Sequence, residues 1–285
     1  MKRLLVLLPL VGCSQILGLD DTRFEQHDAH VDAPSSCDGA PRCISTTGRS
    51  VCGQLFRTGD AGGQPMRVAA PTGMRCAELG STEGPCALSI FGQAKTSYFT
   101  AVGTDRVAGE IDDCGRFVIP DLDASVADVA VVAKGGTDYI ESAALLLGRM
   151  TTAGGTDKGL DLPIVSAVTE MGWATQLDPG TSPDVIGGYL VTYVNSSGIA
   201  ISGEELRVNG GAVNKPPALP WGAYFSGAMP FGTIGPTLTT TQDSGTAAVV
   251  PSGSFMLGGF RQGRTCTQVP LQPVSGAVIH VTLSC

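Results

Sequence analysis

The chain has 285 residues, 42% of them hydrophobic, with 39 Gly and 18 Pro. That length accommodates about two domains at roughly 150 residues each. The formal net charge of −8 offers no positive footprint for a phosphate backbone, which argues against nucleic acid as a partner.

Residues 1–13 read MKRLLVLLPLVGC. Lys2 and Arg3 make a basic start, and Leu4 to Val11 make an apolar run of signal-peptide length, too short to span a membrane as a helix. The run ends Leu10-Val11-Gly12-Cys13. This resembles the lipobox of bacterial lipoproteins, in which small residues precede a Cys. The resemblance implies that 1–12 is a signal peptide cleaved after Gly12. It also implies a lipid thioether on Cys13 and acylation of the new amino terminus. Several acyl chains anchor stably because each buried CH₂ contributes about 0.8 kcal/mol. Ser14, rather than Asp, follows Cys13, which by the same resemblance implies the outer membrane, at its periplasmic face or on the cell surface. Losing Lys2 and Arg3 makes the remainder more acidic still, so the lipid and not surface charge holds the membrane.

Residues 13–50 are polar and irregular, rich in Asp, Ala, Ser and Pro, and read as a flexible acidic tether. His27, Asp28, His30 and Asp32 lie in it. A flexible segment provides no closed coordination geometry, so they read as solvated linker rather than as a metal site.

From Val51 the pattern becomes β. VCGQLF (51–56), PMRV (65–68), LSIF (88–91) and the stretch from Gly109 to Ile119 are short strand-like runs separated by Gly, Pro and Asp turns. DVAVVA (128–133) is strongly β-prone. Together they predict a first β-sandwich module over 51–136. A connecting segment, 137–185, follows. Tyr139 to Leu147 reads as strand pair or short helix. Ile164, Val168, Met171 and Leu177 fall near helical spacing, and Pro163 suits a first helical position, so a short helix is expected near 163–177.

A second β region, 186–285, opens with YLVTYV (189–194), turns at Asn195–Gly198 and resumes at Ile199–Ile201. Leu206–Val208, Ala223–Phe225, Ala247–Val250, Ser254–Leu257 and Val278–Leu283 complete it. The expected fold is therefore mainly β, with two antiparallel β-sandwich modules and one short connecting helix.

The two β regions repeat a plan. Gly63-Gln64-Pro65, and later Asp112-Asp113-Cys114-Gly115-Arg116-Phe117, resemble the Gly-x-Pro and Asp-x-x-Gly-x-Phe turns of carboxypeptidase regulatory-like (transthyretin-like, Ig-like) β-sandwich modules. The second region departs from that pattern: Gly198-Ile199-Ala200 lacks the Pro, and Ala248 stands where Phe is usual. The resemblance implies an extracytoplasmic setting.

Nine Cys point the same way, because disulfides persist in oxidising compartments. Setting Cys13 aside leaves Cys37, Cys43, Cys52, Cys76, Cys86, Cys114, Cys266 and Cys285, an even set. Locality favours Cys76–Cys86 and Cys266–Cys285. Cys52–Cys114 and Cys37–Cys43 then use the rest. No CxxC occurs, which disfavours zinc.

Catalytic patterns are missing from the sequence. There is no G-x-S-x-G elbow, P-loop or dinucleotide fingerprint. His280 sits in a strand and reads as a strand side chain with a polar neighbour. Asp112-Asp113 and Asp121/Asp123 read as turn carboxylates, although such oxygens also suit calcium. Trp221, Tyr224 and Phe225 follow the Pro-rich loop 215–220. Trp221 and Tyr224 are the candidate binding residues, for stacking on a sugar or anchoring a protein; the favoured alternative is that Tyr224 and Phe225 begin a core strand that Trp221 caps. The expected role is a membrane-anchored, non-catalytic cell-envelope protein that binds or supports, with polysaccharide or protein as its partner. The alternatives are a recognition module built on the Trp221 loop and a hydrolase of unknown type. No metal or cofactor is expected.

Overall fold

Runs such as VAVVA and AVIHVTL have the composition of strands buried on both faces, where neither set of alternate side chains meets water. The computed structural model describes residues 37, 43, 48–59, 63–103, 105–148, 156–176, 187–215, 218–227 and 230–285. In chain order, the first elements are β1 (Arg49–Arg57), α1 (Cys76–Leu79), β2 (Ser89–Ala94), α2 (Lys95–Thr100), β3 (Val107–Ala108) and β4 (Glu110–Ile111). Next come β5 (Arg116–Leu122), β6 (Val129–Lys134), β7 (Glu141–Leu146), β8 (Thr156–Ile164), α3 (Ala167–Gln176) and β9 (Gly188–Val194). The remainder are β10 (Glu205–Val208), β11 (Gly211–Ala212), β12 (Trp221–Phe225), β13 (Ile234–Gly235) and β14 (Thr246–Val250), followed by β15 (Phe255–Arg261), β16 (Arg264–Thr265), β17 (Val269–Leu271) and β18 (Ala277–Ser284). The chain is mainly β, in sheets packed face to face.

A nine-stranded sheet in the order β13-β12-β14-β9-β18-β7-β6-β2-β3 runs through the middle. The last strand, β18, lies parallel to both β9 and β7. Segments 51–136 and 186–285 are thus joined through one sheet, and β7, from the connecting segment, is one of its central strands. Alternation along each strand sends neighbours to opposite faces. Val129 and Val131 of β6 pack with Leu55, Phe117, Ile119 and Leu162 of the four-stranded sheet β4-β5-β1-β8. Their neighbours Ala130 and Val132 belong to the core on the other face. There Tyr189, Val191, Ile279 and Val281 meet Leu206, Leu257 and Leu271 of the sheet formed by β10, β11, β15, β16 and β17. The third core closes β9, β12, β14 and β18 under α3, through Leu190, Trp221, Phe225, Val250 and Val278 against Trp173.

The connecting helix begins after Pro163. Pro163 pairs with Phe56 inside β8, which stands at the edge of its sheet, where a missing N–H is tolerated. The start signal is Ser166: its Oγ accepts the Thr169 N–H at 3.1 Å, a side-chain cap. Tyr139–Leu147, left between strand and helix by the sequence, contains β7.

Four disulfides link the eight cysteines beyond Cys13. Cys76 is bridged to Cys86 and Cys266 to Cys285. The other four pair as Cys37–Cys114 and Cys43–Cys52, which corrects the expected Cys37–Cys43 and Cys52–Cys114. The strand register gives the reason. Cys52 lies opposite Val118, whereas Cys114 sits in the turn before β5, beside Gln54 and Leu55, so the two are not cross-strand neighbours. The segment before β1 supplies both missing partners.

Candidate functional site

The turn carboxylates are occupied by the backbone they shape. Asp112 Oδ1 accepts the N–H groups of Cys114 and Arg116, and Oδ2 pairs with Arg116 Nε at 2.6 Å. Asp113, 1% exposed, accepts the Thr72 N–H at 2.7 Å, the Thr72 hydroxyl at 2.8 Å and the Gly73 N–H at 2.7 Å. Gly115 holds φ +74, and a Cβ there would meet the Met66 carbonyl at 2.2 Å, so the turn requires glycine. Phe117 then enters the core. Asp121 accepts the Gly48 N–H, and Asp123 accepts the Ser125 N–H. Hydrogen bonding from Ser125 holds the Asp123 carboxyl below its ordinary range.

Among the described residues, two side-chain groups have metal-like spacing, Asp112–Asp113–Cys114 and Glu204–Cys266–Cys285. In both, the sulfurs are already joined in disulfides, so neither offers a thiolate.

His280 projects from β18 with its Nε2 3.0 Å from the Thr192 hydroxyl and its ring edge-on to Phe231. Burial pushes its pKa down to about 4. It is the polar strand side chain that the alternation around it suggests. His27, His30 and Cys13 lie outside the described residues.

The aromatic candidates are placed in the core, as the strand reading of Tyr224 and Phe225 expected and the binding reading did not. Trp221 is fully buried and Tyr224 is 4% exposed. Trp221 fills the core beneath α3, while the Tyr224 hydroxyl accepts the Leu206 N–H at 2.8 Å. Neither can stack on a sugar or anchor a partner. The strand begins at Trp221 itself, and because both faces of the sheet are covered, alternate residues find a core on either side.

A cleft lies elsewhere, at the ends of β1 and β8 beside α3. It encloses about 590 Å³ and is lined by Arg57, Thr58, Tyr139, Thr169, Trp173 and Thr233, among others. The Thr58 hydroxyl donates to the Ile164 carbonyl, and the Gly59 N–H donates to the Phe231 carbonyl. These bonds tie the loop after β1 to both walls. The Trp173 indole N–H donates to the Gly232 carbonyl at 3.2 Å, and its ring stands edge-on to Phe225 at 5.3 Å. Arg57 is exposed at the rim, and no carboxylate pairs with it among the described residues. Arg57 gives the rim of the cleft a positive charge. Sequence reading missed it because its lining comes from four separated segments that share no motif; only Trp173, a large aromatic in an otherwise weakly apolar helix, hinted at a packed site there.

No protein-family model matches the chain, and no curated protein matches it. Among solved structures, the chain is similar to the Bacillus anthracis TIE protein at 10% identity and a TM-score of 0.22, over 84% of this chain and 34% of that one. It is similar to a Streptococcal ancillary pilin at 11% identity and a TM-score of 0.23, over 83% of this chain and 68% of that one. A third likeness is to the shaft pilin spaA from Lactobacillus rhamnosus GG, at 10% identity and a TM-score of 0.22, over 84% of this chain and 98% of that one. The chain spans about a third of the length of the TIE protein. Similarity at this level carries no argument about what the chain does. Among the described residues, no helix is long and apolar enough to cross a membrane.

Proposed function

We propose that the chain is an exported, lipid-anchored cell-envelope protein with a non-catalytic binding or structural role. The observation that carries the reading is the cysteine count. Eight of the nine cysteines are joined in four disulfides, and the remaining one, Cys13, ends the basic-apolar run that resembles a lipobox. Disulfides of this density belong to an oxidising compartment, and a leftover Cys at that position has lipidation as its chemistry. The anchor would place the protein at the outer membrane, on the periplasmic face or the cell surface. The non-catalytic part is supported by how the reactive groups are used: Asp112 and Asp113 shape a turn, and His280 is bonded to Thr192.

Within that role, binding is favoured over mere support by the cleft beside α3, whose rim carries Arg57. An acidic envelope polysaccharide or an acidic segment of an envelope protein fits its charge.

The test is the intact mass of protein taken from the native membrane fraction, with and without thiol alkylation. The reading expects a mass of acylated residues 13–285 that gains nothing on alkylation, and expects Cys13→Ala to leave the membrane fraction. An unprocessed mass with alkylatable thiols would overturn it.

A further inference from the structure

Glu204 is fully buried, an unusual place for a carboxylate. Its backbone is pinned by Thr241, whose hydroxyl accepts the Glu204 N–H and whose own N–H donates to the Glu204 carbonyl. Its side chain is aimed at the Cys266–Cys285 disulfide, with Oε2 3.6 Å from Cys266 Sγ. Oε1 has no hydrogen-bond partner. A buried oxygen left unbonded is destabilising, more so if charged, so this arrangement calls for an explanation.

The groups around Glu204 do not supply one. Tyr193 faces it from β9, but its hydroxyl donates to the Gly258 carbonyl. Arg261 and Arg264, from β15 and β16, act only through the field, and burial outweighs them, holding the Glu204 carboxyl above its ordinary range. On the far side, Gly259 leaves room for the sulfur: a Cβ there would meet Cys266 Sγ at 2.7 Å.

The two sulfurs differ in access. Cys266 is 5% exposed, whereas Cys285 is only half-buried. An incoming thiolate reaches Cys285, and Cys266 becomes the buried leaving group. A thiolate expelled into such a site requires a proton donor, and Glu204 is the acid beside it. The Cys37–Cys114 bridge is an internal contrast. Asp113 also approaches it, 3.7 Å from Cys114 Sγ, but that carboxylate is saturated by Thr72 and Gly73, and both sulfurs are buried.

We propose that Cys266–Cys285 is a thiol–disulfide exchange site at which a dithiol attacks Cys285 and Glu204 delivers the proton to Cys266. The attacking thiolate forms a bond to Cys285 Sγ, the Cys266–Cys285 bond breaks, and its electron pair stays on Cys266 Sγ. The proton passes from Glu204 to that sulfur and leaves a carboxylate. The second thiol of the reagent then resolves the mixed disulfide. Its sulfur closes the reagent's own disulfide, and its proton goes to Cys285. The dithiol is oxidised by two electrons and the protein disulfide is reduced by two. In reverse, the Glu204 carboxylate takes the Cys266 proton and frees the thiolate that recloses the bridge.

The test is reduction of the full chain by dithiothreitol between pH 5 and 8.5. Alkylation and peptide mass mapping follow Cys266–Cys285 and Cys76–Cys86 separately. Rate constants are referred to the concentration of reagent thiolate, which removes the reagent's own titration. The corrected constant for Cys266–Cys285 should fall by about tenfold or more as pH rises and Glu204 loses its proton. That for Cys76–Cys86, which has no such acid, should stay flat. Glu204→Gln should flatten the Cys266–Cys285 profile at its slow, high-pH value. A flat profile in the unmodified chain, or an unchanged slope in Glu204→Gln, would overturn the proposal. Should Glu204→Gln not fold, the comparison of the two bridges in the unmodified chain decides alone.

Discussion

Thr192 Oγ1 lies 3.0 Å from His280 Nε2, across the parallel pair β9 and β18. The imidazole is held neutral there. Burial moves its pKa from 6.5 down to about 4, with the Asp161 backbone offsetting part of the effect. The unfolded chain therefore binds a proton that the folded chain refuses between these values. Stability from this site is complete above pH 6.5 and is lost as pH falls toward 4, by roughly 3 kcal/mol across the whole window. Urea unfolding at pH 7 and pH 4.5 should show that loss in the unmodified chain and a markedly smaller one in His280→Gln. Equal losses in the two proteins would refute the assignment.

Asp113 holds the loop at Thr72 and Gly73 through three short hydrogen bonds. Asp113→Ala leaves two backbone N–H groups without their acceptor and should cost about 3 kcal/mol. Asp113→Asn keeps one carbonyl oxygen and should cost less. Denaturant midpoints measure both; an alanine variant within about 0.5 kcal/mol of the unmodified chain would mean that water replaces the carboxylate there.

Trp221 is a core residue, so Trp221→Ala should behave as a core deletion. The expected loss is about 3–5 kcal/mol, visible as a lowered thermal midpoint. Trp221→Phe should recover much of it. A surface recognition residue would instead lose a ligand and keep its midpoint. Thermal melts of the two variants separate these outcomes without knowledge of any ligand.

The local features were legible in the residues alone. The apolar runs at 128–133 and 278–283 are strands because a sheet covered on both faces accepts apolar side chains at every position. Asp112-Asp113-Cys114-Gly115 is a turn because its carboxylates and its glycine satisfy a tight chain reversal within a few residues. The cysteine count named a compartment, and the basic-apolar run ending at Cys13 motivated an anchor. Each of these depends on neighbours in sequence. Tertiary structure decided what depends on distant segments. β18 inserts between β7 and β9, and no local pattern specifies a parallel partner more than a hundred residues away. α3 on one side and the sheet containing β10 on the other cover both faces of β12, and turn Trp221 from an apparent surface aromatic into a buried one. The β1–β5 register places Cys114 out of reach of Cys52 and within reach of Cys37. The same packing brings Glu204 against Cys266 and Cys285, a meeting of three segments whose spacing in the sequence carries no signal because side-chain contact is set by sheet stacking and not by chain order.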